Sequence, residues 1–327
     1  FIVGINLAFQ IMKKKSNMNT KHILLTSALV VSALAFTSCE DFFDTSSKKD
    51  LNTETAYSNL ESAEMALVGC YDGWQRTISD EGVGMYLLAE FASEQAFAGL
   101  GLSDAKNNNV IDQFNLGIAP SYNDIFNVDW QNYYKAIFRC NQLIVQEDNI
   151  DWAGDIKAQG RVMGEAHAIR GILYFDLVRM FGDVPLLTAP SEENIPRSPA
   201  SDVYQLIFED FKYAIEHIPA DAYPLDNNDT NDGRITKYAA EALMARAYLY
   251  HTGYYGAEHP SCTKAEAVAA INDVVQNGKY ELEKNYADFW MPACTTDASN
   301  GDTYAWNTTY AGKWYDGSAW KAGQGKL

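Results

Sequence analysis

Glu90 and Glu94 stand four residues apart, a spacing that puts two side chains on one face of a helix. Two carboxyl groups held about 5 to 9.5 Å apart are what glycoside hydrolysis uses. Against 43 acidic residues in 327, however, such pairs arise by chance, so a hydrolase on a helical scaffold stands only as an alternative. The five histidines form no His-Glu-x-x-His zinc motif. Asp226–Gly233 resembles a calcium loop until Gly233 is set at the required glycine. Asn228 and Thr230 then fill the first and third ligand positions, and Ala239 stands where a bidentate Glu belongs. The stretch reads as a solvated acidic turn. Arg170, Arg179, Arg234 and Arg246 read as structural ion-pair or carbonyl-capping groups. Neither a catalytic residue, a metal nor a cofactor is expected.

Aromatic residues carry a stronger signal. A sugar presents flat C–H faces that an exposed Trp or Tyr can cover, while Asn, Asp or Gln bond the hydroxyls. Aromatics in loops are the informative ones, since those at helical spacing belong to the core. Trp74, Trp130, Tyr133, Tyr134 and Tyr174 fall at helical spacing and are expected to pack. Beyond Tyr286 the pattern changes, and four of the seven Trp (Trp290, Trp306, Trp314, Trp320) lie there among Gly, Ser, Thr and Asn.

Cys39 offers a different chemistry. Lys13, Lys14, Lys15 and Lys21 precede the uncharged run Ile23–Phe36, which at 14 residues is too short to span a bilayer as a helix. A basic start, a short apolar run and small residues at the cut describe a secretory signal. Ala33-Leu34-Ala35-Phe36-Thr37-Ser38-Cys39 is similar to a bacterial lipobox, with Phe36 in place of the usual Leu; ordinary cleavage near Ser38 is the other reading. Two or more acyl chains on Cys39 would give stable anchoring. Phe1–Ile11 precedes the first Met and reads as an overhang, with Met12 or Met18 as the start. Residues 1–38 are thus overhang plus signal, and 39–52 an acidic, polar tether.

All four basic residues before Cys39 are Lys and none is opposed by an acid, so 21 of the 25 basic residues follow it with all 43 acidic ones. A net charge of −22 after the cut repels phosphate backbones and anionic head groups. Nucleic-acid binding is excluded on that ground, and membrane attachment falls to the lipid. Among the remaining cysteines, Cys70 and Cys140 sit in helical patterns as buried thiols. Cys262 and Cys294 are the one loop pair.

The elements that must position these groups are helices. Ser58-x-x-Glu61 reads as a capping box before Ala63, Leu67, Cys70, Tyr71 and Trp74. A second helix carries Leu87, Leu88, Phe91 and Phe97, and Gly99–Asn109 reads as loop. Ser121-x-x-Asp124 opens a helix with Trp130, Tyr133, Tyr134, Ile137 and Ile144 inward. Gly160–Phe181 is apolar nearly all round, as a central buried helix is. Ser198-Pro199 starts another, with Pro at the first helical position and Val203, Ile207, Phe211, Ala214 and Ile218 inward. Lys237–Gly253 is rich in Ala. Thr263-x-x-Glu266 caps a last helix ending at Gly278. The expected class is mostly α, in tetratricopeptide-like helical pairs, followed by an irregular, loop-rich C-terminal part that admits short strands.

Several of these blocks match one known pattern. Glu165-Ala166, Arg170, Tyr174-Phe175, Leu177-Val178-Arg179 and Phe181-Gly182-Asp183-Val184-Pro185-Leu186 resemble the helix and turn "EA-x-x-LRA-x-x-Y-F-x-L-V-R … F-G-x-V-P-L" of the SusD/RagB family. His167, Ile169 and Gly171 depart from it without disturbing the stripe. Gly233-Arg234-Ile235-Thr236-Lys237 through Tyr250 is similar to that family's "GR-x-T-K-x-A-A" block, and Trp130–Leu143 to an earlier helix. The resemblance covers about residues 39–300, in family order, with a SusD-like helical domain at 53–286. Residues 287–327 would be the start of a C-terminal part that is incomplete here.

The resemblance implies a lipid-anchored, surface-exposed lipoprotein of the outer membrane in Bacteroidetes. Such a protein would bind oligosaccharides and deliver them to a SusC-like TonB-dependent transporter. A peptide-binding or adhesin-like surface lipoprotein is the alternative that some relatives imply. By region, it places the ligand site at Phe97–Asn109 and in the later irregular part. Asp104, Asn107 and Asn109 would hydrogen-bond the ligand, with Trp306, Tyr310, Trp314 and Trp320 stacking on it.

Overall fold

A computed structural model describes residues 57–79, 84–99, 104, 106–118, 126–191, 193–223 and 233–278. All of these lie within the compact unit Thr53–Leu327. Cys39 with the signal and tether, Cys294, and Trp306, Tyr310, Trp314 and Trp320 with the rest of the C-terminal part lie outside the described residues.

The described elements are helical: α1 (Leu60–Ser79), α2 (Gly84–Ala92), α3 (Lys106–Asp112), α4 (Asn127–Ile144), α5 (Ile156–Phe181), α6 (Ala200–His217), α7 (Lys237–Tyr255) and α8 (Lys264–Asn277). No strand longer than an isolated bridge occurs among the described residues. α1 packs on α4, α5 on α6 and α7 on α8, while α4–α5 and α6–α7 contacts join one pair to the next. This is the stacked helix-pair architecture that the sequence pattern leads one to expect.

α5 is the axis. Of its 26 residues, those from Val162 to Ala166 and from Ala168 to Phe175 are all buried. Tyr174 of α5 and, around it, Tyr133, Tyr204, Phe208 and Phe211 are under 2 % exposed, and full burial of each Phe is worth about 1.5–3 kcal/mol. α6 approaches so closely because α5 offers Gly160 and Gly164 to it. A Cβ at Gly160 would stand 2.4 Å from the His217 carbonyl oxygen, and one at Gly164 would stand 2.5 Å from Ile218 Cγ1.

Local signals set the helix ends. Asp155 accepts from the Ala158 amide and Thr236 from the Ala239 amide. Thr263 and Glu266 form the expected capping box. At α1 the box sits one residue later than Ser58–Glu61: Asn59 Oδ1 accepts from the Ser62 amide while Ser62 Oγ accepts from the Asn59 amide, both at 3.0 Å. Ser58 and Asn59 are equally good caps, and the buried stripe that follows decides between them. Pro199 is the N-cap of α6, not its first helical residue. Asp183, from the turn after α5, caps that helix by accepting from the Ala200 amide at 2.9 Å.

Two further expectations change. α2 ends at Ala92, so Phe97 lies beyond it with 71 % of its surface exposed, and Leu87 is 38 % exposed. The stretch read as a loop to Asn109 becomes helical at Lys106, because α3 buries Val110 and Ile111. Ser121 and Asp124 lie outside the described residues, directly before α4.

Gly164→Ala should therefore lower stability. Overpacking against Ile218 costs about 1–3 kcal/mol, which outweighs the gain of about 1 kcal/mol in helix propensity. Urea denaturation checks this, with a lower midpoint expected at unchanged slope.

Candidate functional site

The region after α2 is held by a small core of its own, in which Phe91, Ala98 and Ile111 pack with Leu88, Ala96 and Phe126. Phe126 meets Phe181 of α5 edge-on at 6.2 Å, joining this core to the main one. At the other end of α2, the Gly84 amide donates to Asp129 of α4 at 2.9 Å in a buried bond. Gly84 itself has a φ of 59°, a conformation that favours glycine.

Of the residues expected to meet a ligand here, Asp104 is exposed. Asn109 is not: it is 1 % exposed, its Nδ2 donates to the Asp104 carbonyl at 2.6 Å, and its Oδ1 accepts from Gln113. Asn109 thus shapes the segment that carries Asp104. Asn107 lies on α3, and its side chain is outside the described residues. Glu90 and Glu94 do not share a helix face, because Glu94 stands past the end of α2 with a φ of 60°.

A second concave surface lies on the outer side of α1. Tyr71, Trp74 and Arg234 line it, with Val68, Asp72, Gln75 and Ile78 along α1, and together they bound about 670 Å³. The Tyr71 and Trp74 rings sit 6.2 Å apart, and the Arg234 guanidinium lies over the Tyr71 ring at 5.0 Å. Both aromatics were expected in the core, and both do pack against it. Their second role follows from the apolar residues α1 leaves outside its inner stripe: Met65, Val68 and Ile78 are each more than half exposed.

Beneath this groove is Glu165 of α5, fully buried. Its carboxylate accepts from Tyr71 and Tyr223 at 2.5 Å each and from Arg161 at 3.3 Å, with Arg234 Nη1 at 3.6 Å. Burial raises the Glu165 pKa, and the hydrogen bonds from Tyr223 and Tyr71 oppose that rise. Burial, with Glu165 beside it, pushes the Tyr223 phenol up to about 12. The Tyr71 hydroxyl also accepts from the Ile235 amide at 2.8 Å. One carboxylate so joins α1, α5 and the turn before α7.

A family model described as starch-binding, associating with outer membrane, and named SusD-like matches residues 41–249. The chain belongs to the SusD-like family. The SusD-like protein P38 of Formosa agariphila is 23 % identical over 270 residues, covering 81 % of this chain and 48 % of that protein. The crystal structure of a SusD homologue from Bacteroides thetaiotaomicron aligns with a TM-score of 0.53 at 25 % identity, over 72 % of this chain and 44 % of that one. Surface glycan-binding protein A of Bacteroides uniformis aligns with a TM-score of 0.56 at 22 % identity, over 71 % of this chain and 49 % of that one. The chain thus spans about half the length of the relatives it matches.

The SusD-like sequence blocks now have a physical meaning. Glu165 and Arg234 meet at the buried joint under the groove, and Arg170 reaches Asp210 of α6 through two bonds of 2.9 and 2.7 Å. Arg179 pairs with Asp176 and donates to the Phe175 carbonyl, as expected of a structural arginine. Cys70, Cys140 and Cys262 are buried free thiols. Among the described residues no group of His, Cys, Asp or Glu is arranged to hold a metal, and no helix is long and apolar enough to cross a membrane.

Replacing Asn109 with Ala should cost about 1–3 kcal/mol, the penalty for removing a buried hydrogen-bonded group. Thermal unfolding measures it. An unchanged melting temperature with lost ligand affinity would instead make Asn109 a direct ligand contact.

Proposed function

We propose that this chain is the helical part of a lipid-anchored outer-membrane protein that binds oligosaccharides and passes them to a SusC-like TonB-dependent transporter. The observation that carries the reading is the SusD-like match, which begins at residue 41, two residues beyond Cys39. A family described as starch-binding and associating with outer membrane needs a tether to that membrane. A thiol that carries two or more acyl chains provides a stable one.

The scaffold suits capture without transformation. Its buried polar groups, Glu165, Arg170 and Asp210, are taken up by one another and by tyrosines, so they act as joints. Ligand contact would fall to Asp104 and Asn107 on the segment shaped by Asn109. In the later part it would fall to Trp306, Tyr310, Trp314 and Trp320, stacking on sugar faces. A SusC-like barrel would take the ligand over, with the lipid on Cys39 keeping the two together at the cell surface.

Affinity gel electrophoresis of the purified chain against plant, host and microbial polysaccharides tests the binding. At least one polysaccharide should retard it, and retardation by none, with binding to peptides, would replace the glycan reading by the peptide one. Cys39→Ser should abolish incorporation of labelled fatty acid and move the protein from the outer-membrane fraction to the soluble one. Continued labelling of this variant would remove the anchor from Cys39.

A further inference from the structure

α1 and α4 pack in antiparallel register, which is fixed at both ends of their contact. Arg139 of α4 donates to the Gly69 carbonyl of α1 at 2.9 Å, and Asn132 donates to the Arg76 carbonyl at 3.4 Å. Between these bonds, a Cβ on Gly73 would stand 3.0 Å from both Cα and Cβ of Ala136. Glycine at this point lets the two helices approach closely. Three residues back along α1 and four onward along α4 stand Cys70 and Cys140. Those steps return to the same helix faces, so the two cysteines occupy the next layer of the same contact. Both are fully buried free thiols.

The two thiols meet there. Burial, and next a hydrogen bond with Cys70, raises the Cys140 thiol well above the usual range. A buried, protonated thiol is inert, so joining the pair is a step of folding, made before α1 and α4 close over it. Exported chains fold in compartments where disulfides form and persist, and the segment before Cys39 reads as an export signal.

We infer that Cys70 and Cys140 are oxidised to a disulfide as the exported chain folds, linking α1 to α4. The inference rests on the export reading above. One thiolate attacks the disulfide of a dithiol oxidant, and the other then displaces that oxidant from the mixed disulfide. The oxidant leaves as a dithiol, carrying two electrons and the two thiol protons. The link closes the stretch from residue 70 to residue 140, which holds α2, α3 and the segment carrying Asp104. It pins the base of the segment proposed to meet the ligand. It also ties α1, the first described helix after Cys39, to the scaffold. A cross-link acts mainly by restricting the unfolded chain, and more so the longer the loop it closes.

Peptide mapping of the chain isolated from cells tests the pair. The protein is denatured in N-ethylmaleimide and cut with trypsin without reductant. Residues 50–76, which hold Cys70, should be joined to residues 140–157, which hold Cys140, with no maleimide on either. Reduction should lower the melting temperature by about 10 °C. Cys140→Ala should abolish both the joined peptides and that difference. A second sample of the chain, reduced and unfolded, is refolded in a mixture of reduced and oxidised glutathione. Joined peptides after refolding, with both thiols alkylated in the cellular sample, would uphold the pairing and overturn the export reading. Both thiols alkylated in both samples, or either one joined to another cysteine, would overturn the pair.

Discussion

A guanidinium cannot lie in a protein interior unless something neutralises it there, and α5 buries one at Arg170, with 5 % of its side chain exposed. Asp210 of α6 answers with both carboxylate oxygens. The remaining N–H groups reach Asn141 of α4 at 2.8 Å and the Thr188 carbonyl at 3.4 Å. Asn141 in turn donates to the Leu187 carbonyl, and His167 Nδ1 donates to the Asp210 carboxylate at 2.6 Å while its ring stacks on Tyr213. Three helices and the connection after α5 are thereby committed to one register. Desolvating two ions costs several kcal/mol each, so such a pair fixes position more than it adds net stability. Burial works against the Asp210 charge, and Arg170, then His167, more than offset it, holding the pKa below that of an ordinary aspartate. The pair's contribution is therefore present above about pH 4 and lost as pH falls below the ordinary aspartate range.

The functional surfaces depend on that register. Asp183, at the turn the register fixes, caps α6. Phe181, one turn from Leu177 at the end of α5, anchors Phe126 and Trp130 edge-on. Through Phe126 the small core around Phe91 and Ile111 holds the Asp104 segment in place. On the other side, Glu165 lies five residues before Arg170 on the same helix and gathers Tyr71, Tyr223, Arg161 and Arg234 beneath the α1 groove. One buried helix so positions two candidate ligand surfaces that share no residue.

Periodicity made most of this scaffold legible. The stripe of α6, Val203, Ile207, Phe211, Ala214 and Ile218, is buried to 2 % exposure or less at every position, and the α8 capping box involves only residues three apart. What the sequence left unread depends on distant partners. The Tyr71–Glu165 bond joins residues 94 apart in the chain, and no local pattern marks it. α3 hides in an Asn-rich stretch of poor helix formers, where burial of Val110 and Ile111 overrides propensity. Tyr71 and Trp74 do belong to the core as their spacing says, yet spacing alone does not reveal that the same rings also line a groove. Asn109 has the composition of a ligand contact and the burial of a structural group. The aromatic residues with the most direct claim to stacking, Trp306 to Trp320, lie outside the described residues.

The Arg170–Asp210 joint can be measured by a double-mutant cycle read by urea denaturation. Arg170→Met alone or Asp210→Leu alone strands a buried charge and should cost about 3–5 kcal/mol. The double variant should be more stable than either single one, since no ion is then left unpaired. Single losses below about 1 kcal/mol, or losses that simply add, would contradict the claim that this pair sets the register of the helices.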